Sequence, residues 1–112
     1  MTEQRFILST VPPTANHLFA TVGKIRVRSK QYRAWRESAQ WQLKAQFPRW
    51  TDKPVSVEYE MRRPRAGADI DNRAKPLGDA LTGIVLKDDS QIVDLRIRWA
   101  DVEGVHITVR TA

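Results

Sequence analysis

The sequence of 112 residues contains no cysteine and only two histidines. Without thiols, disulfide bridges, thiolate nucleophiles, cysteine-ligated zinc and iron-sulfur clusters are all excluded. No apolar run approaches the roughly 20 residues that span a bilayer, and the N-terminus lacks the cationic and apolar segments of a secretion signal. We therefore expect a cytoplasmic protein that uses neither a membrane nor an organic cofactor.

The length suits one domain, and we expect a single domain over residues 1–112. Hydrophobic residues make up 41% of the chain and charged residues 29%, which is ordinary globular composition. Repeats, linkers and low-complexity tracts are absent from the sequence. These features exclude disordered, fibrous and multidomain architectures.

Charge is distributed unevenly along the chain, whose net charge is +6. Residues 1–50 carry nine Lys and Arg against two acidic residues, a net charge of +7. Residues 51–112 carry ten Lys and Arg against eleven acidic residues, a net charge of −1. A basic half favours a polyanionic partner such as nucleic acid. The acidic residues of the second half, of which eight are aspartates, then require their own explanation.

The residue pattern predicts an α+β fold with a small mixed β-sheet of about five strands and two main helices. The predicted strands cover residues 5–9, 21–28, 55–61, 93–99 and 105–109, and residues 101–104 join the last two as a hairpin. The predicted helices run from Ser29 as N-cap to about Gln46, and from Asp71 or Asn72 as N-cap to about Gly83.

The first helix has two faces of low charge. One is a core stripe at helical spacing, formed by Tyr32, Trp35, Ala39, Leu43 and Phe47. Trp41 lies opposite that stripe, among small residues. It is either a tolerated surface tryptophan or the anchor of a subunit interface, and both interpretations stay open.

The strand predicted over residues 21–28 has a cationic face formed by Lys24, Arg26 and Arg28. Successive side chains on one face of a strand are roughly 6–7 Å apart, close to the spacing of successive phosphates. We expect these three residues to bind DNA.

Asp69 and Asp71 are two residues apart in a predicted extended stretch, so both carboxylates project to the same side. A third carboxylate from the Asp88-Asp89 pair would complete an oxygen-rich site for Mg2+. Such a site beside a basic surface indicates phosphodiester hydrolysis. Helix capping by Asp71 is an alternative explanation for the same pattern.

Four segments resemble the RusA family of Holliday-junction resolvases: Arg62-Arg-Pro-Arg65, Asp69-Ile-Asp-Asn72, Lys75-Pro-Leu-Gly-Asp-Ala-Leu-Thr82 and Asp88-Asp-Ser-Gln-Ile-Val-Asp94. The Pro12-Pro13 and Asn16-His17 pairs and the start of the first helix resemble it too. The resemblance implies a RusA-like fold and a Mg2+-dependent homodimeric endonuclease that cuts four-way DNA, often encoded by prophages.

By position, the resemblance places the metal-binding and catalytic carboxylates on Asp69, Asp71 and Asp89, with Lys75 as the catalytic lysine. Asp88 is the weaker candidate for the third carboxylate. Asp79 lies four residues after Lys75, and we expect it to orient that lysine. The predicted DNA-binding residues are Lys24, Arg26, Arg28, Arg63, Arg65 and Asn72.

The sequence thus predicts an enzyme that resolves Holliday junctions by Mg2+-dependent hydrolysis, with branched DNA and a second copy of the chain as its partners. The alternatives are a non-catalytic nucleic-acid-binding module and a nuclease for flaps and other branched DNA. The basic half alone would explain the first alternative, but it leaves the aspartates unexplained.

Overall fold

A computed structural model describes residues 2–13, 19–22, 25–28 and 30–111, with the backbone alone for 19–22 and 25–28. It contains six strands, two α-helices and two short 3-10 helices. In chain order these are β1 (Thr2–Leu8), β2 (Phe19–Val22), β3 (Ile25–Arg28), α1 (Lys30–Ala45), β4 (Val55–Met61), a 3-10 helix (Asp71–Arg73), α2 (Ala74–Leu81), a second 3-10 helix (Asp89–Gln91), β5 (Ile92–Trp99) and β6 (Val105–Thr111). Within these ranges no helix is long and apolar enough to cross a bilayer.

The main sheet has four strands in the order β1-β6-β4-β5 and is mixed, which confirms the predicted α+β class. β1 and β4 both pair antiparallel with β6, whereas β4 and β5 are parallel. The parallel pair is connected by α2, as a crossover requires.

The predicted hairpin between the last two strands is wrong, because β4 lies between them in the sheet. β4 takes the central position because alternate residues along it are fully buried, the last of them being Met61. The loop from β5 to β6 therefore passes the end of β4. It needs Gly104, which has a φ of 65° and where a Cβ would collide with the carbonyl oxygen of Leu8.

The single strand predicted over residues 21–28 is also wrong. Instead, β2 and β3 pair antiparallel as a separate two-stranded sheet, in which each short strand hydrogen-bonds to the other. Of the predicted DNA-binding residues, Lys24 lies outside the described residues, and only the backbone of Arg26 and Arg28 is described.

Helix α1 packs its predicted stripe into the core, with one exception. Tyr32, Trp35, Ala39 and Leu43 are buried, but Phe47 is 90% exposed. The helix ends at Ala45 and Phe47 has a φ of 57°, so the helical spacing no longer sets its direction. On the opposite side Trp41 is 66% exposed, and the Lys44 amine lies 5.2 Å from its ring centroid.

The second helix begins differently from the prediction. The backbone is already helical at Ile70, which makes no side-chain capping bond, and Asp71 lies inside the 3-10 helix. Asp71 is therefore not the N-cap, and capping does not explain its carboxylate. Pro76 lies in the first turn of α2, where backbone N–H groups lack intrahelical partners. The helix ends before Gly83, whose φ of 89° suits the predicted stop.

The left-handed conformation of Phe47 leads to a stability prediction. An L-residue other than glycine pays about 1–2 kcal/mol in this region, and an exposed ring gains little in return. Phe47→Gly should therefore raise the free energy of unfolding by about 0.5–1 kcal/mol in urea titrations. Leu43→Ala, at a buried site of the same helix, should lower it by about 2–5 kcal/mol. A clear loss of stability in Phe47→Gly would contradict the assignment of Phe47 to solvent.

Candidate functional site

The site is organised around the ammonium group of Lys75 in the first turn of α2. Its Nζ lies 3.1 Å from Oδ1 of Asp79 and 3.2 Å from Oδ2 of Asp89. The hydrogen bonds that Lys75 donates to Asp79, and then to Asp89, raise the pKa of its ammonium above the ordinary value. The group is therefore held in its charged form at neutral pH.

Asp79 lies one helical turn after Lys75 and connects the lysine to α1. Its side chain is only 13% exposed, and its Oδ2 accepts a hydrogen bond of 2.8 Å from the Tyr32 hydroxyl. Tyr32 is itself buried in the core. The prediction that Asp79 orients Lys75 agrees with this geometry.

Asp89 reaches the cluster from the 3-10 helix that precedes β5. Gly78 on α2 faces it, because a Cβ built at Gly78 would lie 3.4 Å from Cβ and 3.6 Å from Oδ2 of Asp89. An alanine would fit there in ordinary contact, but a larger side chain would push the carboxylate away from Lys75. Gly78 was not among the site residues predicted from the sequence.

Tyr59 on β4 forms a buried part of the site and was not among the predicted site residues. Its hydroxyl has no hydrogen-bond partner in the described part of the chain. Burial and the nearby charges of Asp89 and Asp79 raise the pKa of this hydroxyl well above its ordinary value. A tyrosine among Val55, Val57 and Met61 on a buried strand face was the available signal.

Asp69 and Asp71 lie just before α2, and both are exposed. Asn72 Nδ2 donates a hydrogen bond of 3.3 Å to Oδ2 of Asp69. The side chain of Asp71 makes no hydrogen bond or ion pair with the described residues, so its carboxylate is available to a ligand.

The three predicted carboxylates do not form a preassembled metal cluster. Across the described ranges, no group of three His, Asp or Glu side chains is arranged to hold a metal ion. Asp89 is engaged by Lys75, whereas Asp69 and Asp71 face solvent on the segment leading into α2. The donor chemistry nevertheless fits a hard divalent cation, because all three side chains are carboxylates with exposed or half-exposed oxygens.

Asp88 has a structural role as the N-cap of the second 3-10 helix. Its side chain accepts a hydrogen bond of 3.1 Å from the Ser90 amide, and its own amide donates to Gln91 Oε1 at 2.8 Å. The hydrogen bond from Ser90 lowers the pKa of the Asp88 carboxyl. This capping box separates Asp88 from its neighbour Asp89, which faces Lys75.

The loop after β4 carries basic residues toward the site. Arg63 and Arg65 are both exposed, and the Arg63 guanidinium lies 6.0 Å from the Trp99 ring centroid. Arg73, which the sequence analysis did not single out, is buried and donates to the Pro12 carbonyl oxygen. Burial, and then the charge of Arg65, lower the pKa of Arg73. Arg73 thus ties the first 3-10 helix to the Pro12 segment.

Comparison with known proteins places this chain in a class of endodeoxyribonucleases. The sequence profile of the family described as endodeoxyribonuclease RusA matches residues 10–110. This covers nearly the whole chain, and the chain belongs to the RusA family. The uncharacterized protein YqaN of Bacillus subtilis (strain 168) is 42% identical over 60 residues. The matched part is 52% of this chain and 42% of YqaN, so the chain spans less than half of that relative.

The ion pairs of Lys75 predict how its titration responds to substitution. Asp79→Asn should lower the pKa of the Lys75 ammonium most, Asp89→Asn should lower it less, and Asp88→Asn should change it little. NMR titration of the lysine Nζ resonances measures all three. Because folding raises this pKa, the stabilising contribution is complete below the ordinary lysine pKa and disappears only as the pH rises through the folded value. An unchanged pKa in Asp79→Asn would show that the pair does not form in solution.

Proposed function

We propose that this chain is a structure-selective endodeoxyribonuclease that resolves Holliday junctions by Mg2+-dependent phosphodiester hydrolysis. The observation that carries the proposal is the charged Lys75 held by Asp79 and Asp89 at the start of the helix that follows Asp69 and Asp71, in a chain of the RusA family. The proposed setting is DNA recombination and repair in the bacterial cytoplasm, with the gene carried by the host genome or by a prophage. The proposed assembly is a homodimer.

Asp69, Asp71 and Asp89 are the residues that would hold the cation. When bound, Mg2+ supplies activation of a water molecule and charge neutralisation at the phosphate. Asp71 is the freest of the three donors, because no hydrogen bond or ion pair from the described residues engages it. Asp89 would exchange part of its interaction with Lys75 for the cation. Asp69 is already oriented by Asn72.

Lys75 acts as a fixed positive charge toward the scissile phosphate. A lysine with a raised pKa stays protonated at neutral pH, so it serves as a hydrogen-bond donor and counter-charge and not as a general base. Asp79 and Tyr32 hold the ammonium in position from the buried side. In hydrolysis the oxygen of water bonds to phosphorus, and the bond from phosphorus to the leaving oxygen breaks. Lys75 stabilises the negative charge that develops on that leaving oxygen.

The basic segments would hold the DNA backbone. Arg63 and Arg65 lie on the loop that leads to Asp69, where their guanidinium groups can fork phosphate oxygens. Arg26 and Arg28 on β3, together with Lys24, extend the same role in the proposal, and Asn72 contributes an amide next to Asp69. Cleavage of four-way, flapped and linear DNA in Mg2+ distinguishes a junction resolvase from a broader nuclease.

Removing one metal-binding carboxylate should separate cleavage from binding. We expect Asp71→Asn to abolish junction cleavage in Mg2+ while binding persists or tightens, because a negative charge that faces phosphates is lost. Gel-shift and cleavage assays on the same four-way junction measure both properties. Asp88→Asn is the matched control, since asparagine also caps helices, and it should cleave normally. Near-normal cleavage by Asp71→Asn would overturn the metal assignment.

The role of Lys75 is tested by removing its charge. Lys75→Ala should reduce the single-turnover cleavage rate on the order of 10- to 1000-fold, as expected for one transition-state contact. Circular dichroism and junction binding should remain close to those of the wild type. An unfolded Lys75→Ala protein would instead show that the lysine is needed mainly to neutralise Asp79.

A further inference from the structure

Strand β5 forms an edge of the four-stranded sheet, and no described strand pairs with its outer side. The Ala100 amide donates to the Met61 carbonyl oxygen at 2.8 Å. Since alternate residues of a parallel strand bond the same neighbour, Asp94, Arg96 and Arg98 direct their backbone groups to β4. Leu95 and Ile97 therefore direct their amide and carbonyl groups away from the sheet. No side chain of the described residues hydrogen-bonds to these groups.

The opposite edge of the sheet, β1, is covered by polar side chains. Gln46 acts on Ile7 like a neighbouring strand, because its Oε1 accepts from the Ile7 amide at 2.8 Å and its Nε2 donates to the Ile7 carbonyl at 2.7 Å. Gln42 accepts from the Ser9 amide at 2.7 Å, and Arg49 donates to the Glu3 carbonyl at 3.0 Å. Edge protection of this kind prevents association. The two edges therefore differ, because the described residues provide such side-chain hydrogen bonds to β1 but none to the outward backbone groups of β5.

Several side chains of β5 also lack partners among the described residues. On the helix-bearing face Val93 is 70% exposed and Leu95 is 44% exposed. On the other face Arg98 pairs with Glu60 at 2.7 Å, whereas Asp94 and Arg96 form no ion pair with any described residue. The free edge thus combines exposed apolar side chains with one unpaired charge of each sign.

We propose that a second copy of this chain pairs antiparallel with β5, with the two-fold axis at Leu95. The pairing rests on the proposed function only for the need to bring two active sites together. In this register Leu95 lies opposite the partner's Leu95 and Val93 opposite the partner's Ile97. Asp94 lies opposite the partner's Arg96, and the symmetry repeats this pair, so the edge is self-complementary in charge.

Other registers are unfavourable for physical reasons. A shift of one residue would place outward backbone groups opposite groups that already bond to β4, so the ladder could not form. A shift of two residues in one direction places Asp94 opposite the partner's Asp94, and in the other direction Arg96 opposite the partner's Arg96. Like charges directly opposite destabilise a sheet.

The pairing has a direct consequence for the active sites. Two four-stranded sheets would join into one continuous sheet whose two-fold axis is perpendicular to it. Both copies then carry α2 and the Lys75–Asp89 pair on the same side of that sheet. Two sites on one side can act on a single junction, whose two cuts are related by approximate two-fold symmetry.

The register is tested by single cysteines, because the natural chain has none. Opposed residues in a hydrogen-bonded antiparallel pair have Cα atoms about 5.5 Å apart, within the range of a disulfide. Leu95→Cys should form a covalent dimer on oxidation, seen on a non-reducing gel. Val93→Cys is the matched control. It is more exposed, but the proposed register separates the two copies of position 93 by about 13 Å along the strands. Efficient cross-linking of Val93→Cys with none at Leu95→Cys would overturn the register.

The charge pairing is tested by reversal and rescue, with sedimentation velocity as the measurement and no DNA present. Asp94→Arg and Arg96→Asp should each weaken dimerisation on the order of tenfold, and the double variant should restore it. Asp52→Arg, an exposed control outside β5, should sediment like the wild type. These surface substitutions leave the core unchanged, which circular dichroism verifies.

The outcomes separate this inference from the proposed function. A β5-paired dimer that fails to cut junctions would support the interface and overturn the nuclease proposal. Normal dimerisation of both single variants, with Trp41→Glu giving monomers, would place the interface on α1 and overturn the β5 proposal. A wild-type chain that sediments as a monomer at all accessible concentrations would also overturn it.

Discussion

The ammonium group of Lys75, between the carboxylates of Asp79 and Asp89, is the interaction on which the candidate site depends. It connects α2 to the 3-10 helix before β5, and the hydroxyl of Tyr32 extends the connection to α1. Asp79 is mostly buried, so its charge needs a partner to offset the loss of hydration. The same lysine therefore neutralises a structural carboxylate and, in the proposed function, presents a positive charge to a phosphate.

The main sheet supports this cluster from below and fixes the position of the helix that carries Lys75. The central strand β4 supplies Tyr59 beneath the carboxylates, and the parallel pairing of β4 with β5 requires the crossover that carries Lys75. The two edges of the sheet then differ in kind. Side chains of α1 and the following residues hydrogen-bond to the backbone of β1, whereas the described residues leave the outward backbone groups of β5 and the charges of Asp94 and Arg96 without partners, and Val93 and Leu95 stay exposed. A protein that must avoid association at one edge and use the other would have this asymmetry.

Local patterns predicted well those features that depend on neighbours in the chain. The helical stripe of α1 placed Tyr32, Trp35 and Leu43 in the core. Spacing of four residues on a helix was enough to pair Lys75 with Asp79. The predictions failed where a neighbour in space decided the outcome. Phe47 is exposed because the helix ends before it, and β5 and β6 do not form a hairpin because β4 lies between them.

The sequence by itself therefore determined the α+β class and the family to which the chain belongs, and it nominated the candidate site residues, because periodicity, charge and motif spacing are properties of short segments. Only the tertiary structure decided which carboxylate meets Lys75, since Asp88 and Asp89 are adjacent in the chain and a capping box alone separates their roles. It also decided the strand order, the buried hydroxyl of Tyr59 and the free edge at β5. These depend on pairing between segments far apart in the chain, and the free energy of such pairing comes from burial that no single segment can provide.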